Sequence, residues 1–119
     1  MLIQDDAGSS REKAYHKTAA LLGLPERPTA ILAASDIAAV SASWAIRDSG
    51  LRVPDDMAVI GVGNIPEGGI TRPPLTTVGP TSCDWTPVTK LLFSRVESRV
   101  PLKGRVHLSA WTLVLRGSA

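Results

Sequence analysis

The stretch from Arg27 to Gly79, RPTAILAASDIAAVSASWAIRDSGLRVPDDMAVIGVGNIPEGGITRPPLTTVG, encodes strand, helix, strand, loop and strand in that order. Thr29 to Ala34 is a short apolar run bounded upstream by Pro25 and Pro28, and its composition suits a strand buried on both faces. Ser35-Asp36 then offers two side-chain oxygens where the next helix must begin, and either can cap its free amide groups. Along that helix Ile37, Val40, Trp44 and Asp48 fall near one side, while Ala38, Ala42, Ala45 and Ile46 supply a small, close-packing surface. Gly50, which takes left-handed dihedrals at little cost, is expected to end it. Val53-Pro54-Asp55-Asp56 is a turn, and Met57 to Val62 a second apolar strand. Two strands joined by a helix of this length make a parallel βαβ unit, which calls for helices on both faces.

After that strand the chain starts no ordinary helix, because Gly63-Asn64-Ile65-Pro66-Glu67-Gly68-Gly69 is too rich in Gly and Pro. Arg72-Pro73-Pro74 keeps the backbone extended, and Leu75 to Val78 is a third short strand. A long loop at the carboxyl end of a parallel strand is where open α/β sheets bind ligands. The Gly63 loop is therefore the first candidate for a site.

The blocks ILAASDIAAV, GLRVPDDMAVIGV, NIP and PPLTTV resemble successive signatures of the LacI/GalR family of bacterial transcription regulators, in the half that senses a small effector. The likeness begins near Ser10 and runs more weakly to the terminal VLRGS. It implies a periplasmic-binding-protein-like sensor of two Rossmann-like lobes around an effector crevice, in a cytoplasmic, homodimeric regulator with an amino-terminal helix-turn-helix. At 119 residues the chain is expected to be a carboxyl-terminal fragment of that sensor, or a truncated remnant. The fold expected is an incomplete three-layer α/β lobe with a parallel sheet. About 9–78 would form one lobe, and about 79–119 the crossover, a helix and the final strand. No helix-turn-helix is included, so DNA would be reached only through a domain absent from this chain. A fragment of a periplasmic-type sugar-binding protein, which can share the two-lobed fold, is an alternative.

The resemblance also assigns an effector wall. Sugar-responsive relatives read Ala-Asn-Asp at the end of the first strand, where this chain has Ala34, Ser35 and Asp36. At the second strand relatives carry an acid that accepts from the ligand, where this chain has Gly63 followed by Asn64. Ser35, Asp36, Gly63 and Asn64 are thus the effector-binding candidates, for a sugar-like or divergent small molecule. Each lost hydrogen-bond partner costs a buried sugar hydroxyl about 1 to 3 kcal/mol, so the usual sugars should bind weakly. Capping competes as a role for Ser35 and Asp36, and turn formation for Asn64. Ile37, Val40, Trp44, Thr71 and Arg72 are the dimer-interface candidates by the same likeness; Trp44, on a helix, suits core or interface better than sugar stacking.

The flanks read more coarsely. Ser9 to Leu22 is an amphipathic helix, with Ser9 and Glu12 at capping-box spacing and Ala14, Tyr15, Thr18, Ala19 and Leu22 on one face; Gly23 closes it. In Thr81 to Val100, Pro87 suits the first helical position after a Thr86 cap, with Trp85, Val88, Leu92 and Val96 as the buried stripe. The family pattern places that helix against the other lobe, so the apolar surface of residues 79–110 would lack its partner and drive association. Val106, Leu108 and Ala110 alternate in one phase and Trp111, Leu113 and Leu115 in the other, which predicts two short strands with a bulge or break between them.

Other chemistries find little support. Hydrophobic residues make up 44% and charged residues 20%, a globular balance with no apolar run long enough to span a membrane. Leu2-Ile3 is followed at once by Gln4-Asp5-Asp6, which denies a signal peptide its apolar region. A net charge of +2 is spread along the chain rather than gathered into a nucleic-acid patch. One cysteine, Cys83, leaves no internal disulfide, and with His16 and His107 it makes neither a metal set nor a nucleophile pair. Gly61-Val62-Gly63 lacks the third glycine and the following helix of a dinucleotide site. No catalytic residue, metal or cofactor is assigned, and the chain is not expected to be an enzyme.

Overall fold

The computed structural model describes residues 10–82, 84–98 and 103–119. Ser9, Cys83 and Val100 lie outside the described residues. Ser10, rather than Ser9, opens the first helix α1 (Arg11–Leu22), its side chain accepting from Lys13 N at 3.4 Å. Because α1 packs chiefly on the next helix, only a narrow seam is covered: Ala14 and Thr18 are buried, whereas Ala19 is exposed.

The central elements follow as β1 (Ala30–Leu32), α2 (Asp36–Asp48), β2 (Ala58–Val62) and β3 (Thr76–Gly79). A short 3-10 turn, Pro66–Gly69, interrupts the loop before β3, so the Gly- and Pro-rich segment makes one tight turn instead of a helix. The sheet order is β1-β2-β3-β4, where β4 (Thr112–Val114) is the last strand. The first three strands are parallel, with Ala30 opposite Ala58 and Ile60 opposite Thr76. β4 runs antiparallel to β3, with Thr77 opposite Val114.

Ala39, Val40 and Ile46 of α2 meet Met57, Val59 and Leu75 to form the core, with Leu22, Ile31, Ala33, Leu51 and Val53 at its margin. Small residues let α2 approach the sheet closely: Ala38, Ala39, Ala42 and Ala45 are all nearly inaccessible. The helix ends at Asp48, and Gly50 follows with φ +78, the left-handed turn its sequence position predicts.

The expected α/β lobe with its parallel-dominated sheet is present in the incomplete form the sequence predicts, with α2 packed on β1 and β2. Two expectations are corrected here. Among the described strands β1 lies at the sheet edge, and it is not buried on both faces, since its Leu32 is 71% exposed. Val106 to Ala110 forms no strand; only Thr112–Val114 finds a neighbour to pair with.

The third helix, α3 (Thr86–Val96), has Trp85 rather than Thr86 at its cap position and Pro87 in its first turn. Asp84 Oδ1 accepts from Thr86 N at 2.9 Å and does the capping. The expected stripe of Trp85, Val88, Leu92 and Val96 is present but uncovered: α3 buries no residue, and Phe93 is open beside it. The chain is accordingly elongated, 61 × 25 × 23 Å with a radius of gyration of 18.2 Å. A compact chain of this length would have about 13 to 14 Å.

Candidate functional site

The parallel strands bring three chain turns to one edge of the sheet: Ala34-Ser35-Asp36 after β1, Gly63-Asn64-Ile65 after β2, and Gly79-Pro80 at the end of β3. Ser35 is extended (φ −151, ψ 155) and its hydroxyl accepts from Ala38 N at 3.2 Å, so it caps α2. Asp36 is the first residue of the helix and is 1% exposed. Its carboxylate turns back toward the sheet, where Oδ1 accepts from Thr77 Oγ1 at 2.5 Å and Oδ2 from Ile65 N at 2.8 Å. The helix amino terminus favours that negative charge, and two donors offset its desolvation.

Gly61 exists to leave this carboxylate room. A Cβ there would lie 2.2 Å from Asp36 Oδ1, closer than any side chain can approach. Gly63 has φ +131, and its N–H donates to Val78 O at 2.8 Å, which carries the β2-β3 pairing past the end of β2. Asn64 follows with φ 54, a left-handed conformation that asparagine tolerates. Its N–H donates to Thr77 Oγ1 at 3.3 Å, so Thr77 links the Asn64 backbone to Asp36. Its amide is engaged at both ends: Nδ2 donates to Pro80 O at 2.7 Å, and Oδ1 accepts from Arg116 Nη2 at 2.7 Å. At Gly79 an added Cβ would sit 2.7 Å from Asn64 Cβ and 2.8 Å from Gly63 C, so the two turns touch backbone to backbone.

All four effector-wall candidates therefore share one edge, but they differ in what they leave free. The Ser35 hydroxyl, the Asp36 carboxylate and the Asn64 amide each spend hydrogen-bonding capacity inside the chain. Thr77, Gly79 and Arg116 belong to the same cluster and were missed in the sequence. Thr77 and Gly79 read there as ordinary strand residues; Arg116 lay in the weak terminal block, where nothing tied it to residue 64.

The dimer candidates are also placed. Ile37 and Thr71 are half-buried, Trp44 is 49% exposed and Arg72 is exposed. Val40, by contrast, packs in the core and has little surface to offer a second copy. Arg47 Nη1 donates to Arg72 O at 3.2 Å, which holds α2 beside the 70–74 segment, and Ile70 stands open there at 76% exposure.

Among the described residues no group of three or more His, Cys, Asp or Glu side chains could hold a metal ion. No described helix is long and apolar enough to cross a membrane. Two shallow depressions lie away from the sheet edge. One runs along α3 beside Trp85, Lys90 and Phe93; the other sits between α1 and α2, where Tyr15 Oη donates to Asp48 Oδ2 at 2.7 Å. That bond raises the Tyr15 pKa above its ordinary value.

Comparison with known proteins agrees with this architecture. A family model described as a periplasmic binding protein-like domain matches residues 3–119. The HTH-type transcriptional repressor PurR of Mannheimia succiniciproducens is 40% identical over 108 residues, covering 90% of this chain and 32% of that protein. The lactose operon repressor of Rhizobium radiobacter is 40% identical over 67 residues, 56% of this chain and 59% of that protein. Among solved structures, a LacI-type transcription regulator from Bifidobacterium animalis subsp. lactis superposes with a TM-score of 0.83 at 32% identity, over 94% of this chain and 40% of that one. The chain spans about a third of the length of the first of these relatives.

Proposed function

The chain belongs to the periplasmic binding protein-like family, as part of the effector-sensing domain of a LacI/GalR regulator, and from that premise we propose that it supplies one wall of a crevice in which a small effector controls operator binding. The observation that carries this reading is the meeting of three strand-end turns on Asp36, Thr77 and Asn64 at the carboxyl edge of a parallel sheet, the usual ligand position in such folds. Ser35, Asp36, Gly63 and Asn64 form the wall. Asp36 and Asn64 fix its shape, while Ser35 and the backbone around Gly63 meet the effector, which is a small polar molecule of the sugar class or a divergent relative of it. No reaction is assigned, in keeping with relatives named as repressors.

Binding between two lobes shifts the balance of their arrangements, and that balance sets operator affinity. Operator contact belongs to the two-thirds of such a repressor that this chain does not span. A second copy pairs through Ile37, Trp44, Thr71 and Arg72, and the regulator works in the cytoplasm.

The test is a titration of the isotopically labelled chain with lactose and glucose at millimolar concentration, followed by amide chemical shifts. A single wall gives weak binding, with shifts confined to Ser35, Gly63, Asn64 and Ile65. Shifts that gather along α3, or none with either sugar and none with a wider panel of pentoses and hexoses, would overturn the proposed site.

A further inference from the structure

We propose that Asn64 is a pin that joins the stretch of chain running out to α3 with the stretch returning from it, and so sets how the α3 arm is held to the sheet. Pro80, whose carbonyl accepts from Asn64 Nδ2 at 2.7 Å, is the first residue beyond β3 on the outward run. Arg116, whose Nη2 donates to Asn64 Oδ1 at 2.7 Å, lies just past β4 on the return. One carboxamide thus grips both directions of the chain, and it suits the task because it carries a donor at one end and an acceptor at the other.

The surroundings hold the pin in place. Arg116 Nη1 donates to Leu75 O at 2.7 Å and its backbone N to Thr76 Oγ1 at 3.0 Å, which fixes the guanidinium against the start of β3. Gly79 lets Asn64 lie directly on the outgoing chain, since any Cβ there would collide with it. The left-handed φ of 54 aims the side chain, and Thr77 Oγ1 secures the Asn64 N–H. The pin matters because α3 buries no residue of its own. Apolar packing does not hold the arm, so the β3-β4 ladder and these polar contacts must.

The regulatory meaning rests on the crevice reading given above: an effector that meets the backbone around Gly63 and shifts the adjoining Asn64 turn loosens the amide's hold on the two stretches. The pin itself is tested without any effector, by hydrogen exchange on the full chain, so its failure is separable from that of the crevice. Asn64→Gly keeps the left-handed backbone and removes the amide. It is expected to speed exchange at Thr112, Leu113 and Val114 by roughly tenfold, the effect of losing one or two hydrogen bonds, while amides of β1 and β2 keep their rates. Arg116→Lys, whose single amine cannot reach Leu75 O and Asn64 Oδ1 together, is expected to give the same local pattern. Acceleration confined to β4 in both variants supports the pin. Unchanged β4 rates, or a rise spread over the whole chain, in either variant would overturn it.

Discussion

Helices α2 and α3 differ in fate more than in composition. Both are short and both carry an apolar stripe, yet α2 buries seven residues from Ala38 to Ile46 besides Asp36, and α3 buries none. The difference is not propensity but the presence of a partner. Ala38, Ala42 and Ala45 let α2 sink onto β2, where Met57 and Val59 complete a closed core. α3 presents Trp85, Leu92 and Phe93 at 58 to 63% exposure with nothing described against them. A hydrophobic period marks a face that can be buried; it does not supply what buries it.

The largest test of this contrast is a matched pair of truncations. Ile46→Ala should cost about 3 to 4 kcal/mol in urea unfolding, the transfer loss plus a cavity at a residue with no exposure. Phe93→Ala should change stability by less than about 0.5 kcal/mol, as exposed positions do. Equal losses in the two would mean that α3 is covered in solution.

A smaller effect sharpens the same comparison at the sheet edge. Asp36→Ala strips Thr77 Oγ1 and Ile65 N of their acceptor in a buried place, and a loss of about 3 kcal/mol is expected in thermal or denaturant unfolding. Ser35→Ala removes only a helix cap and should cost about 1 kcal/mol. A reversed order would show that the carboxylate is not the keystone of this edge.

The smallest effect lies at the start of α3. The Thr86 hydroxyl and backbone N–H hold the Asp84 carboxyl below its ordinary value of 3.8. A carboxyl lowered in the folded state stabilises that state above its unfolded pKa, and the contribution is lost as pH falls through the lowered value. The Thr86 amide resonance should therefore stay constant from neutral pH to about 4 and move below it. Movement centred above pH 5 would rule out the cap.

What the sequence made legible was local. Ser35 and Gly50 bracket α2 because capping and left-handed dihedrals are properties of single residues. The parallel order of β1 to β3 followed from apolar runs separated by a helix-length or Pro-rich spacer. What stayed hidden depends on neighbours distant in the chain. Leu32 carries no mark of lying on an edge strand; Val106 to Ala110 alternates like a strand but meets no neighbouring ladder. At the site, Asp36 could be placed in the first turn of α2, but its partners are Ile65 and Thr77, 29 and 41 residues away. Arg116 reaches Asn64 across 52 residues, a separation at which spacing gives no guidance.

The fit between Asp36 and Gly61 limits how this sensor could be retuned. With a Cβ at 61 landing 2.2 Å from the carboxylate, no change at 61 can succeed unless 36 shortens too, and shortening 36 deprives Thr77. Those three positions can move only together, whereas Ser35 stands apart from that bond network and can vary alone. On the crevice proposed above, a mutational library screened for altered effector binding is expected to recover its working variants at 35 and along the 65–70 turn, and to find the trio almost unchanged.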